Sequence, residues 1–228
     1  MAYQLLPVDQ QTKIDLERIK KFFPKNFIDN LSKCYEDYIL QGKVEFRDPE
    51  SKQFFTLPGH HLGRNDSAIN KEVSNYLNRL LYSPNIAIID YVLKNYNTMK
   101  KLKFADNGCG SGLLSVFLKY IGIECFNYDD LTQISNTNLH KLVKKQLNLD
   151  ILPVTSDTKK LRDFKPNVVT SAGIWITSPS FKNDNLKFAL IDRYYIDKPH
   201  NIHGEITQNL TEVEEYGIEL KIFTNHLI

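Results

Sequence analysis

The chain has little cysteine, little net charge and no long apolar run, and each shortage narrows what it can be. Cysteine occurs three times in 228 residues, as Cys34, Cys109 and Cys125. An odd number with no C-x-x-C spacing gives neither a disulfide framework nor a zinc-binding signature. Lysine and arginine total 29 against 27 acids, a formal net charge of +2. That balance generates no global field for a polyanion, which disfavours nucleic acid as a partner. The local basic groups (Lys20-Lys21, Lys100-Lys101-Lys103, Lys144-Lys145, Lys159-Lys160) read as solvated helix ends and loops. No apolar stretch approaches membrane-spanning length. The opening MAYQLLPVDQQTK lacks a basic region followed by an apolar core, so no secretory signal is read there. The expectation is a soluble, cytoplasmic protein with no membrane partner, in which the sequons at Asn65 and Asn209 are chance matches.

What is present is ordinary for a globular chain: 42% hydrophobic and 25% charged residues. The length accommodates a sizeable core, and one α/β domain with an extension fits it. The stretch that organises the chain runs from Lys103 to Leu131. A short apolar run ends in Asp106, glycines follow at 108, 110 and 112, and Leu114, Phe117, Leu118 and Ile121 recur at helical spacing up to Gly122. A second strand-like run, Glu124 to Tyr128, ends in Asp129 and Asp130. Strand, glycine turn, helix, strand and acid are the order of a doubly wound sheet that holds a nucleoside at its carboxyl edge.

The spacing separates two cofactors. A dinucleotide fingerprint starting at Gly108 and Gly110 requires glycine at 113, which is Leu113. The observed pattern, D-x-G-x-G-x-G from Asp106 to Gly112, resembles the first motif of class I S-adenosylmethionine-dependent methyltransferases. The resemblance covers about thirty residues well and the rest less well. It implies a Rossmann-like, mostly parallel α/β sheet over residues 99–228, with a mainly helical extension or lid over residues 1–98. It also implies S-adenosylmethionine as cofactor, with Asp106 among its binding residues and the turn at Gly108, Gly110 and Gly112 lying against the methionine end. By the same resemblance Asp129 takes the two ribose hydroxyls, Asp157 the adenine amino group, and Ser171 lies where donor and acceptor meet. A nicotinamide oxidoreductase is the remoter reading.

The extension reads as a helix over residues 10 to 23, a second after Pro24 carrying Phe27, Leu31, Tyr35 and Tyr38, and Gly42 as its stop. Strand character over Lys43–Leu57, broken by Asp48-Pro49-Glu50-Ser51, predicts a small hairpin. The loop with His60, His61 and Arg64 precedes two helices, one carrying Ile69, Val73, Leu77 and Leu80, the other starting at Ser83-Pro84. Arg64 could pair with the cofactor's carboxylate, although an exposed loop is the plainer reading.

Beyond Asp130, Leu139, Leu142, Val143 and Leu147 predict a helix. Ile151–Thr155 is expected as a third strand, placed at the sheet's edge by Pro153. Asn167–Ile176 reads as the fourth strand and Leu186–Ile196 as the fifth. Ile206, Leu210, Val213 and Tyr216 suggest a helix closing at Gly217, and Glu219–Ile228 a last strand. The resembled family has a seventh strand antiparallel beside the fifth, and on this reading the chain stops short of it or rearranges it.

Methyl transfer from a sulfonium is an in-line displacement that needs chiefly alignment and desolvation. Ser171-Ala172-Gly173-Ile174-Trp175 is unlike the N-P-P-Y turn of nucleobase methylation, and no acid follows the fourth strand as RNA ribose methylation requires. A small-molecule or protein side-chain acceptor remains, with Trp175 as a candidate pocket wall. His200 and His203 are the candidate general bases. The alternative is a methyltransferase-like protein that binds without catalysing.

Overall fold

The computed structural model describes residues 18, 21–40, 44–47, 54–57, 84–109, 112–129, 139–172, 176, 178–196, 202–216 and 220–225. Helix α1 (Lys25–Leu40) is followed by strands β1 (Val44–Arg47) and β2 (Phe54–Leu57), then by helices α2 (Pro84–Lys94) and α3 (Tyr96–Met99). The sheet domain proper runs β3 (Phe104–Asn107), α4 (Leu113–Tyr120), β4 (Cys125–Tyr128), α5 (Leu139–Leu147), α6 (Thr158–Phe164) and β5 (Val168–Ser171). A 3-10 turn at Pro179–Phe181 leads to β6 (Phe188–Asp192), α7 (Arg193–Ile196), α8 (His203–Ile206), β7 (Thr211–Tyr216) and β8 (Leu220–Thr224).

β1 and β2 form the expected antiparallel hairpin, with Val44 opposite Leu57. The main sheet has six strands in the order β4-β3-β5-β6-β8-β7. β4, β3, β5 and β6 are mutually parallel. β8 is antiparallel to β6, and β7 is antiparallel to β8. The order turns at β3, from which the chain goes first to β4 on one side and later to β5 on the other. Such a reversal is where doubly wound sheets offer a crevice outside the carboxyl ends of their strands.

Alternation along the strands sorts the core into two layers. Phe104, Cys125, Val168, Phe188, Leu190, Leu220 and Ile222 face one side, where α1, α2 and α4 contribute Phe27, Leu31, Ile88, Ile89, Val92, Leu114, Phe117 and Leu118. Ala105, Phe126, Tyr128, Val169, Ala189, Ile191 and Phe223 face the other, beneath Leu161, Phe181, Ile196 and Ile206. α1 and α2 thus share a core with the sheet. Phe23 and Phe27 meet Phe117 edge-on, with ring centroids 4.6 and 5.6 Å apart. Such contacts add specific geometry to the area they bury.

Several expectations hold. α1 follows Pro24, whose carbonyl accepts from the amides of Phe27 and Ile28. α2 begins at Pro84, a favoured first helical position. α4 buries Leu114, Phe117 and Leu118, and its C-cap Ile121 is buried too, as the spacing predicts. The expected helix over residues 10–23 lies largely outside the described residues. So do the loop at His60, His61 and Arg64, the helix carrying Ile69 to Leu80, and Gly42.

The end of the chain differs from expectation. The missing seventh strand is present: β8 lies antiparallel beside β6, Phe188 opposite Thr224 and Asp192 opposite Leu220. The helix expected across Ile206–Tyr216 is instead the short α8 and the edge strand β7. Val213 and Tyr216 of Thr211–Tyr216 fall at helical spacing, and pairing with β8 overrides it. A register shift between Glu212 and Glu214, together with three glutamates, suits an edge that must not pair further. The third strand shrinks to one parallel bridge, Tyr128 to Thr155. The Thr155 amide donates to the Asn127 carbonyl, and the Asp129 amide donates to the Thr155 carbonyl. Pro153, without an amide hydrogen, limits further pairing.

Candidate functional site

The site is assembled where β3, β4 and β5 end together. Asp106 lies in register with Asn127 on β4 and Thr170 on β5, so the three side chains form one row on one face. Asp106 is 4% exposed, Asn127 and Thr170 are fully buried. The Thr170 hydroxyl donates to Asp106 Oδ1 at 2.7 Å. One residue further on, on the opposite face, Asn107 Nδ2 donates to Ser171 Oγ at 3.2 Å. Two side-chain bonds therefore stitch the seam between β3 and β5, where the strand order reverses.

The turn after β3 is held to the end of β4, the Cys109 amide donating to the Tyr128 carbonyl at 3.1 Å. Gly108 (φ +66°) and Gly112 (φ +77°) are both left-handed. A side chain is strained in that region, so glycine is required by backbone conformation at both. At Gly112 a Cβ would meet Asn127 at 3.4 Å, ordinary contact, so conformation and not crowding fixes that residue. Gly110 lies outside the described residues. Asn127 also secures the turn's far side, donating to Ser115 Oγ (3.2 Å) and to the Leu152 carbonyl (2.6 Å).

Electrostatics mark the same spot. Burial pushes the Asp106 carboxyl up from 3.8 to about 7; the Thr170 hydroxyl holds it down, and the charge of Asp129 pushes it up. Burial raises the Cys109 thiol well above its ordinary value, with Asp106 and Asp129 adding to the effect. Asp106 and Asp129 therefore face one neighbourhood from the ends of adjacent strands. Asp129 is half-buried. At the end of β6, Asp192 is a further buried acid on the carboxyl edge.

Of the residues singled out in the sequence, Asp106, Gly108, Gly112, Asp129 and Ser171 are brought together at this edge. Asp157 begins α6, where its carboxylate accepts from the amides of Lys159 and Lys160 at 2.9 and 3.2 Å. That is an N-cap, a structural task in its own right. His203 opens α8, with its ring 6.1 Å from that of Phe223 on β8. His200 and Trp175 lie outside the described residues. Sequence reading missed Thr170, Asn107 and Asn127, which become part of the site only through strand register.

Donor chemistry tests whether the site fits the implied cofactor. Two carboxylates facing one neighbourhood suit a ligand bearing positive charge and vicinal hydroxyls. They oppose a pyrophosphate, whose charge would add to theirs. Among the described residues no group of three His, Cys, Asp or Glu could hold a metal ion. No helix among them is long and apolar enough to cross a membrane.

A mostly parallel, doubly wound sheet whose last strand returns antiparallel beside β6, with Asp106 and Asp129 at the ends of β3 and β4, is a Rossmann-like α/β fold. No family model and no curated protein matches the chain. Among solved structures, it is similar to magnesium protoporphyrin IX methyltransferase (ChlM) from Synechocystis PCC 6803, solved with bound SAM. Identity is 10%, covering 91% of this chain and 95% of that one, with a TM-score of 0.44. A mutant of MtNAS is 13% identical over 90% of this chain and 72% of that one, at 0.42. Thermoplasma acidophilum 1320 is 15% identical over 63% and 87%, at 0.38. Such distant likenesses carry no statement about activity, and the fold is read from the strand order of the chain itself.

Proposed function

We propose that the chain is an S-adenosylmethionine-dependent methyltransferase acting on a small-molecule or protein side-chain acceptor. The observation that carries this reading is the acid pair Asp106 and Asp129 at the ends of neighbouring parallel strands, astride a turn with two left-handed glycines. When bound, the cofactor supplies an already activated methyl group. Asp129 would hold its ribose hydroxyls, and the turn with Asp106 its methionine end. Asp157 could approach the adenine with whatever capacity its cap leaves. The chain's own contribution is then alignment and exclusion of water at the strand ends, beside Ser171 and Ala172 where the acceptor would enter.

The alternative is a binding or regulatory protein that holds the same ligand without transferring its methyl group. The two are separated by a methyl-transfer screen over small amines, hydroxyls and protein substrates. Transfer that disappears in Asp106→Ala supports the enzyme. Tight binding of adenosylhomocysteine with no transfer to any acceptor favours the binding protein.

A further inference from the structure

The Thr170–Asp106 bond has a consequence for a charged ligand. A carboxyl 4% exposed at a strand end, with a second carboxylate nearby, is easily driven to its neutral form. Asp129, from the end of β4, pushes that way. The thiols Cys109 and Cys125, in the turn and on β4, are themselves raised by Asp106 and stay neutral beside it. On the helical layer of the same face, buried Asp90 of α2 is paired with Arg18 at 3.3 Å, and Lys119 of α4 sits in that helix's last turn. β5 supplies the opposing influence, the Thr170 hydroxyl at 2.7 Å. A hydroxyl donating to a carboxylate favours its charged form and fixes which oxygen is left for a ligand.

We infer that Thr170 is a positioning residue that holds Asp106 ionised and oriented for the positively charged end of the ligand, and so sets the pH above which the site binds. This rests on the reading of the site given above. The ammonium of an amino-acid-bearing nucleoside meets a charged acceptor when Asp106 is ionised and a neutral acid when it is not. Ligand affinity therefore rises with pH through the Asp106 titration and levels off above it. Removing the hydroxyl moves that rise to higher pH without deleting the acid.

The experiment is isothermal titration of adenosylhomocysteine into the full chain between pH 5.5 and 9, for the wild type, Thr170→Val and Thr170→Ser. The Asp106 side-chain carboxyl carbon is followed by NMR in the unliganded proteins in parallel. Thr170→Val is expected to bind roughly tenfold more weakly at pH 7 and to recover to within about twofold of wild type at the alkaline end. Its carboxyl midpoint should move upward, and Thr170→Ser should restore both. A Thr170→Val deficit that is equal at every pH, or an unmoved carboxyl midpoint, overturns the inference. Wild-type binding that is flat with pH overturns it too, while leaving the functional reading intact. Wild-type protein that binds nothing at any pH overturns the functional reading, and the carboxyl midpoint then still decides the role of Thr170.

Discussion

Asn127 packs against Gly112: a Cβ placed on that glycine would lie 3.4 Å from Asn127 Nδ2 and 3.5 Å from Oδ1. The contact joins the start of α4 to the floor of the sheet. The space would admit a methyl group, but the backbone at φ +77° resists one. Gly112→Ala is therefore expected to lose about 1–2 kcal/mol of stability, the cost of holding an L-residue in the left-handed region. Chemical denaturation with an unchanged slope and a lowered midpoint is the expected record. No loss of stability would mean that the turn adopts another conformation.

Asp106 gives an inverted pH signature. Its carboxyl is pushed up to about 7 in the fold, from 3.8. A group whose folded pKa is raised binds more protons in the native state, so stability falls as pH rises between the two values. The stability linked to Asp106 is fully present below about pH 4 and lost by about pH 7 to 8, on the order of a few kcal/mol. Asp106→Asn keeps an oxygen for the Thr170 hydroxyl and removes the ionisation. In unliganded protein it should flatten that fall and match or exceed wild type at pH 8. An Asn variant that declines with pH as steeply as wild type assigns the effect to another group.

Asp157 separates a structural task from a ligand contact. Its Oδ1 accepts from two amides at the start of α6. Asp157→Ala should cost about 1 kcal/mol in the unliganded protein, whereas Asp157→Asn, itself a good cap, should cost much less. Thermal melts of the two variants without ligand decide it. Equal losses would show that the charge matters and not the cap.

The cysteines should be poor nucleophiles. Burial lifts the Cys109 and Cys125 thiols well above their ordinary value, and Asp106 adds to it in both. The thiolate is the reactive species. Alkylation by iodoacetamide at pH 8 should therefore be much slower at both than in the denatured chain, as read by mass spectrometry of the modified peptides. Rapid labelling of Cys109 in the folded protein would place an activating positive charge near the turn.

The parts of the site that are contiguous in sequence were legible there. Asp106, Gly108, Gly112 and Asp129 belong to one strand–turn–helix–strand unit, and local conformation together with helical spacing is enough to find them. Thr170 and Asn107 bond to partners 64 residues distant, and nothing in the neighbouring residues announces a partner at that range. Parallel strands reveal it only once their register is known. Asn127 reads as a polar residue in an apolar strand until Ser115 and the Leu152 carbonyl are seen to take its amide. β7 was misread because Ile206, Leu210, Val213 and Tyr216 fall at spacings of three and four. The hydrogen bonds of an antiparallel neighbour outweigh that weak helical preference. With β7 and β8 in place, the apparent truncation of the sheet disappears.

The central claim is that a nucleoside with a positively charged tail lies across the ends of β3 and β4. Thermal unfolding in the presence of adenosylhomocysteine tests it most directly, with wild type and Asp129→Ala compared at pH 8. The wild type should melt at increasingly higher temperature as ligand is raised, by mass action, with a gain of about 2.7 kcal/mol at a hundred times the dissociation constant. Asp129→Ala should show little of that rise at the same concentrations. An unmoved wild-type melt at saturating ligand, or an equal rise in both proteins, would contradict the assignment of this edge as the nucleoside site.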